Sequence, residues 1–272
     1  MQFTISLIAQ AADGGWATGL SPTALILFVL AGILAGVINT LAGSGSLITL
    51  PIFMFVCGLP ANIANGTNRV GVIFQSAIGL YGFRKSGNVE YENVSWIVAP
   101  AIAGALIGAW LASEMSAEQM TWVIGGLMVV MLFVLLINPK RWIQESDSSS
   151  RDNKSGVSIL TYFAIGIYGG FIQAGVGIFL LASIVLISKY SLKEGNGIKL
   201  LVILAFAIPT LAVFVYHNQV HIGFGIGMAV CQSLGAVIGV WFATKVPNAN
   251  AWIHRLLILI LVAAATKIFF FS

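Results

Sequence analysis

The chain contains an internal repeat. The nine residues Gly104–Ala112 (GALIGAWLA) return as Gly235–Ala243 (GAVIGVWFA), with six of nine positions identical at an offset of 131 residues. Asn65–Gly66 and Asn196–Gly197 keep the same offset. Two related apolar halves are the usual plan of a membrane transporter, so the repeat predicts two similar bundles with a site where they meet. The duplicated segment is rich in small residues, which predicts close helix packing.

The amino-acid composition distinguishes a membrane protein from a soluble one. Hydrophobic residues make up 58% of the 272 residues and charged residues only 8%, whereas a soluble domain carries about 25% charge. So few charges cannot cover a soluble surface. We therefore predict an all-α polytopic membrane protein in a lipid bilayer. The net charge of +4 does not indicate nucleic-acid binding, because the basic residues fall in short loops.

Two cysteines, Cys57 and Cys231, lie in apolar segments of different halves, and the sequence has no CxxC motif or Cys/His cluster. We therefore expect no metal site and no cofactor. The two thiols are interpreted as packing residues, with contact to a sulfur substrate as the alternative.

Hydropathy and helix signals predict about ten helical segments. Ser21–Pro22 predicts the start of the first helix, and the capping boxes Ser116-x-x-Gln119 and Ser191-x-x-Glu194 predict two later starts. The predicted segments are 22–41, 45–57, 60–83, 94–112 and 117–137, then 157–173, 177–188, 192–216, 222–243 and 252–271. The predicted domains are a lead-in (1–21), transmembrane repeat 1 (22–137), a polar linker (138–156) and transmembrane repeat 2 (157–272).

Charge predicts the orientation of the segments. Five segments per half is an odd number, so the second half is expected to be inverted relative to the first. With that threading, one side collects eleven of the thirteen basic residues, Lys199 among them, and the exceptions Arg69 and Lys267 fall within spans. By the positive-inside rule, the linker is cytoplasmic, both termini lie outside, and the protein resides in the cell membrane.

Each half interrupts its first membrane pass at a glycine-rich turn, followed by a helix too short to cross the bilayer. Broken helices are tolerated in a membrane only where the backbone is buried or lines a cavity. The short helix would also direct its positive N-terminal end at that cavity, which favours an anion. The alternative is a glycine kink for packing alone. The substrate-binding candidates at the two turns are Asn39, Gly43, Ser44, Gly45, Ser46, Gln173, Gly175 and Gly177.

The third helical segment of each half carries polar residues at helical spacing. Asn65, Asn68 and Arg69 share one helical face, and Asn196 and Lys199 repeat the i, i+3 pair. A buried cation is costly and needs a partner, and no Asp or Glu lies deep in a predicted span. An anionic substrate would satisfy both cations, so all five residues are binding candidates. The alternatives are snorkelling for Arg69 and a loop position for Lys199.

Two glutamines within spans, Gln75 and Gln232, are further candidates of lower rank. The lack of deep carboxylates also bears on energetics, because proton-coupled carriers usually use buried Asp, Glu or His. We therefore expect electrogenic anion export, driven by the membrane potential, or facilitated diffusion.

The chain resembles the TauE/SafE sulfite exporter family, also called the TSUP family of membrane permeases, over residues from about 24 to 271. The resemblance lies in residues 39–45 (NTLAGSG) followed by Pro51, in 64–69 (ANGTNR), and in the echoes 169–177 (GGFIQAGVG) and 194–199 (EGNGIK). It implies a transporter of sulfur-containing anions such as sulfite, sulfoacetate, other organosulfonates or thiosulfate.

Other functions remain open at this point. The protein could export a different small oxyanion or a carboxylate, since the same donors hold any oxyanion. An intramembrane enzyme built on Ser44 would need a base within hydrogen-bond reach, and no histidine lies deep in a span, so we expect no enzymatic activity. A structural subunit would not need paired polar breaks. A homo-oligomer is compatible with the sequence.

Overall fold

The computed structural model describes residues 19–86, 94–136 and 155–245, and every regular element among them is helical. The prediction of an all-α fold is confirmed. The helices are α1 (Pro22–Ala42), α2 (Ser46–Pro51, continued by a π-helical turn Ile52–Val56), α3 (Ala61–Lys85), α4 (Ser95–Ser113), α5 (Ala117–Leu136), α6 (Gly156–Phe171), α7 (Val176–Leu186), α8 (Leu192–Tyr216) and α9 (Ile222–Lys245).

Five of these helices are long and apolar enough to cross a membrane, which confirms a polytopic membrane protein. They are α1, α4, α5, α8 and α9. Helix α3 is 25 residues long, as is α8. It is less apolar than α8, because its first turns carry the polar run from Asn62 to Arg69. The predicted segment 252–271 and most of the lead-in and the linker lie outside the described residues.

Three predicted helix starts are confirmed by their caps. The Ser21 hydroxyl accepts the Ala24 N–H at 3.2 Å, and Pro22 opens α1. Ser116 and Gln119 exchange hydrogen bonds of 3.0 and 3.2 Å at the start of α5. Ser191 and Glu194 do the same at the start of α8, at 3.0 and 3.3 Å. Each cap satisfies N–H groups that the first turn of a helix leaves without partners.

The duplicated segment joins the two halves. A Cβ on Gly108 in α4 would lie 1.9 Å from the Ile167 carbonyl oxygen in α6, and a Cβ on Gly235 in α9 would lie 2.0 Å from the Ile33 carbonyl oxygen in α1. The fourth helix of each half therefore packs backbone to backbone against the first helix of the other half. This is the close packing that the small residues predict.

Contacts at one end of the bundle place the loops there. The loops after α4 and after α8 meet where the Gln219 side chain donates to the Ser113 carbonyl at 2.8 Å and His217 lies 3.4 Å from Glu114. Ring contacts place the start of α1 beside the start of α9, since Phe28 packs on Phe224. The five-plus-five inverted repeat itself stays a prediction, because its last segment lies outside the described residues.

Candidate anion site

The two glycine-rich turns meet at the centre of the bundle. Gly43 ends α1 and Gly175 precedes α7, both with φ of 74°, a conformation that glycine adopts without steric penalty. The Gly177 N–H donates to the Gly43 carbonyl at 3.0 Å. A Cβ on either Gly43 or Gly177 would lie 2.3 Å from the other's Cα. Both predicted helix breaks are therefore present, and they touch.

Three of the backbone donors at the breaks are already bonded within the protein. The Gly43 N–H donates to the Asn39 and Ile38 carbonyls, the Gly45 N–H to the Asn39 side chain at 3.4 Å, and the Gly177 N–H to Gly43. These three amides are therefore not free to bind an anion.

Asn39 and Asn68 hold the first break in place. The Asn39 amide donates to the Gln75 side chain, whose own amide donates to the Thr40 hydroxyl at 3.2 Å. The Asn68 amide donates to the Ser46 hydroxyl at 2.9 Å and accepts from Thr49. These amides use their capacity within the protein, so their observed role is to tie α1 and α2 to α3.

Arg69 is fully buried, and the snorkelling alternative is wrong. One terminal nitrogen donates to the Thr210 hydroxyl at 3.1 Å and to the Gly169 carbonyl at 3.4 Å, and the other donates to the Gly170 carbonyl. The guanidinium carbon also lies 4.4 Å from the centre of the Phe214 ring, a cation–π contact. Arg69 thereby caps the C-terminal end of α6, where unpaired carbonyls concentrate negative charge.

Lys199 is also fully buried, so its interpretation as a loop lysine is wrong. It therefore does not count among the basic loop residues used to predict the orientation. Its ammonium donates to the Thr40 carbonyl at 3.0 Å and to the Asn196 side chain at 2.9 Å. Asn65 donates to the Phe171 carbonyl at 2.8 Å. Thr40 and Phe171 are 131 residues apart, the offset of the internal repeat. The third helix of each half therefore caps the broken first helix of the other half.

The charge around these cations is unbalanced. Among the described residues, Arg69 and Lys199 are the buried charged side chains, and no carboxylate is buried with them. Several buried polar atoms near the breaks also have no hydrogen-bond partner: the Ser44 hydroxyl, both amide atoms of Gln173, Asn65 Oδ1 and Arg69 Nε. An unpaired buried polar atom costs about 1–3 kcal/mol. A small oxyanion would supply acceptors for the hydroxyl, amide and guanidinium donors.

Three residues of this network were not predicted from the sequence: Thr40, Thr49 and Thr210. Each contributes a hydroxyl that receives or donates one of the bonds above. A threonine in an apolar helix gives a weak signal, because its hydroxyl commonly bonds to the carbonyl one turn earlier, as Thr40 does to Gly36 at 2.8 Å. Gln75, ranked below the other candidates, proves central to the first break.

Substitutions of Gln173 can separate its effect on anion transport from its effect on protein stability. It has φ of 58°, and a left-handed conformation costs a non-glycine residue about 1–2 kcal/mol. We expect Gln173→Gly to leave thermal stability unchanged or raised, because glycine relieves this strain and removes an unpaired amide, while anion transport falls severalfold. Gln173→Asn, which tolerates the same backbone and keeps an amide, should retain more transport. Equal transport by Gln173→Gly and the unmodified protein would remove Gln173 from the site.

Comparison with known proteins adds to this geometry. Residues 28–268 match the family model described as "Sulfite exporter TauE/SafE". A "Probable membrane transporter protein ORF9" of Sinorhizobium sp is 23% identical over 90% of this chain and 92% of its own length. The probable membrane transporter protein YfcA of Escherichia coli K12 is 26% identical over 80% of both chains.

A third relative is the probable membrane transporter protein YdhB of Bacillus subtilis, which is 23% identical over 82% of this chain and 90% of its own length. No solved structure matches the chain significantly. The relatives' names describe transport through a membrane without specifying a substrate.

Proposed function

Because the chain belongs to the TauE/SafE sulfite exporter family and is a membrane transporter, we propose that it exports a small sulfur-containing anion. Sulfite is the lead substrate, and an organosulfonate such as sulfoacetate is the next. The substrate-contact residues in this proposal are Ser44, Gln173, Asn65, Arg69, Asn196 and Lys199. Asn39, Asn68, Ser46 and the break glycines Gly43, Gly45, Gly175 and Gly177 shape the site around them.

One observation carries the proposal: two fully buried cations without a buried carboxylate among the described residues. A buried charge is tolerated when it is paired and hydrogen-bonded. Carbonyl and hydroxyl oxygens stabilise Arg69 and Lys199 but do not neutralise them. An oxyanion that enters the site neutralises the charge, and sulfite presents three oxygens to the available donors.

Export down the membrane potential requires no coupling ion. With the linker in the cytoplasm, as proposed here, a potential of 100 mV, negative inside, favours expulsion by about 2.3 kcal/mol per negative charge. The histidines of the described residues lie at helix ends rather than at the breaks. His221 caps α9 by accepting the Phe224 N–H at 3.3 Å, and burial lowers the pKa of this imidazole. This histidine therefore supports the fold and is poorly placed for a proton relay.

Efflux of radiolabelled sulfite from proteoliposomes tests the substrate. We expect the protein to accelerate sulfite efflux over protein-free liposomes, and excess unlabelled sulfite or sulfoacetate to compete. Acetate and phosphate serve as the matched non-sulfur anions. Efflux of acetate or phosphate in preference to sulfite would contradict sulfite as the substrate and indicate a different oxyanion or a carboxylate.

A further inference from the structure

The two buried cations lie at different depths of the bundle. Arg69 bonds to Thr210 of α8 at 3.1 Å, and Lys199 belongs to the same helix. These two α8 positions are 11 residues apart (210 − 199). At 1.5 Å per residue, they are separated by about 16 Å along the helix axis.

One small oxyanion cannot contact both cations. Hydrogen bonds between nitrogen donors and oxygen acceptors span about 2.7–3.2 Å, and the oxygens of a sulfite-sized anion lie much closer together than the separation of the cations. Each cation also has its own partners. Arg69 reaches the C-terminal carbonyls of α6, whereas Lys199 reaches that of α1.

We infer that the protein binds two small oxyanions in series, one at each broken helix. The outer station comprises Arg69, Asn65 and Thr210, and the inner station comprises Lys199 and Asn196. This inference rests on the proposed function and extends it from one site to two. The names follow the proposed orientation, in which α3 starts outside and α8 starts inside.

The contacts around each station support separate access. The outer station lies near the loop after α8, because the His221 N–H donates to the Thr67 hydroxyl at 2.8 Å, two residues before Arg69. The inner station lies about two turns into α8, beyond the capping box at Ser191. The two breaks themselves touch through Gly43 and Gly177.

The internal repeat accounts for two stations of similar construction. Asn65 and Lys199 donate to carbonyls of Phe171 and Thr40, which are repeat mates. Helix α3 of the first half therefore forms the outer station with the end of α6. Helix α8 of the second half forms the inner station with the end of α1. The stations differ in their cation, because Asn68 occupies the position equivalent to Lys199 and Arg69 follows one residue later.

Equilibrium binding of radiolabelled sulfite to the purified full-length protein in detergent tests the inference. We expect two sulfite ions per chain for the unmodified protein, one for Arg69→Gln or Lys199→Gln, and none for the double variant. Arg84→Gln removes an exposed cation at the end of α3 and should retain two. Arg69→Lys and Lys199→Arg keep the charge and should retain two sites, with affinity weakened roughly tenfold at the altered one. These conservative variants keep the test decisive if a glutamine variant does not fold.

The outcomes distinguish this inference from the proposed function. One sulfite per chain, weakened alike by both glutamine variants, would overturn the two stations and leave the proposed function intact. Absence of sulfite binding to the unmodified protein would overturn both. In vesicles of known orientation, Arg69→Lys should raise the apparent KM for sulfite on the side of the α8–α9 loop more than on the opposite side. Equal changes on both sides would contradict separate stations.

Discussion

Replacing Gly177 with alanine should abolish transport and sharply reduce the yield of folded protein. The added Cβ would lie 2.3 Å from Gly43 Cα and 2.6 Å from the Gly43 carbonyl oxygen. Backbone atoms cannot move aside as a flexible side chain can, so the two breaks would have to separate. Overpacking of this kind costs about 1–3 kcal/mol or more, and the Gly177–Gly43 hydrogen bond would be lost as well.

Gly126→Ala is the matched control for Gly177→Ala, because it also replaces a helical glycine with alanine. Gly126→Ala in α5 places its Cβ in open space, with no atom within 4 Å, and alanine favours the helix by about 1 kcal/mol. Thermal unfolding in detergent should show Gly177→Ala lower by roughly 5–10 °C and Gly126→Ala unchanged or higher. A Gly177→Ala protein as stable and active as Gly126→Ala would show that the contact between the breaks is dispensable.

Arg69→Ala should lower sulfite transport roughly 10- to 100-fold, since a charge-assisted hydrogen bond to a bound anion is worth about 1.5–3 kcal/mol. The substitution also leaves the Gly169 and Gly170 carbonyls and the Thr210 hydroxyl without the donor that they share. The end of α6 therefore loses its cap at the same time. Initial rates of sulfite efflux from proteoliposomes, normalised to folded protein, measure the effect.

Arg84→Ala is the control for Arg69→Ala, because Arg84 lies on the same helix but is exposed. Its loss should change transport by less than about twofold, in keeping with the small contribution of exposed charges. Sulfite efflux by Arg69→Ala within a factor of about two of the Arg84→Ala rate would remove Arg69 from the substrate path.

Local signals in the sequence predicted much of the fold. Capping boxes at Ser116 and Ser191 and the proline after Ser21 placed helix starts within a residue or two, because caps depend on neighbours along the chain. Glycine-rich turns placed both helix breaks. Both kinds of signal depend on residues close together in the chain, so they do not depend on contacts with the other half.

The partners across the two halves could not be predicted in the same way. Nothing in the local sequence pairs Arg69 with the end of α6 or Lys199 with the Thr40 carbonyl, since these residues are at least 100 positions apart. Among the backbone donors expected to be free at the breaks, the Gly177 N–H is occupied for the same reason. It donates to the Gly43 carbonyl only once the halves are assembled.

The repeat offset came close to supplying this missing information. It pairs Thr40 with Phe171, and these are the carbonyls that Lys199 and Asn65 contact. A repeat offset states which positions are equivalent, however, and does not state which half each position contacts. That assignment required the packing of α4 on α6 and of α9 on α1.

The account is tested most directly by the electrical current from proteoliposomes after a sulfite concentration jump. We predict a current whose sign follows the movement of negative charge with sulfite, reverses when the gradient is reversed, and disappears in Arg69→Ala, Lys199→Ala and Asn65→Ala. Sulfite movement without a current would contradict electrogenic export. Currents equal to those of the unmodified protein in all three variants would contradict the assignment of the site to the buried cations at the helix breaks.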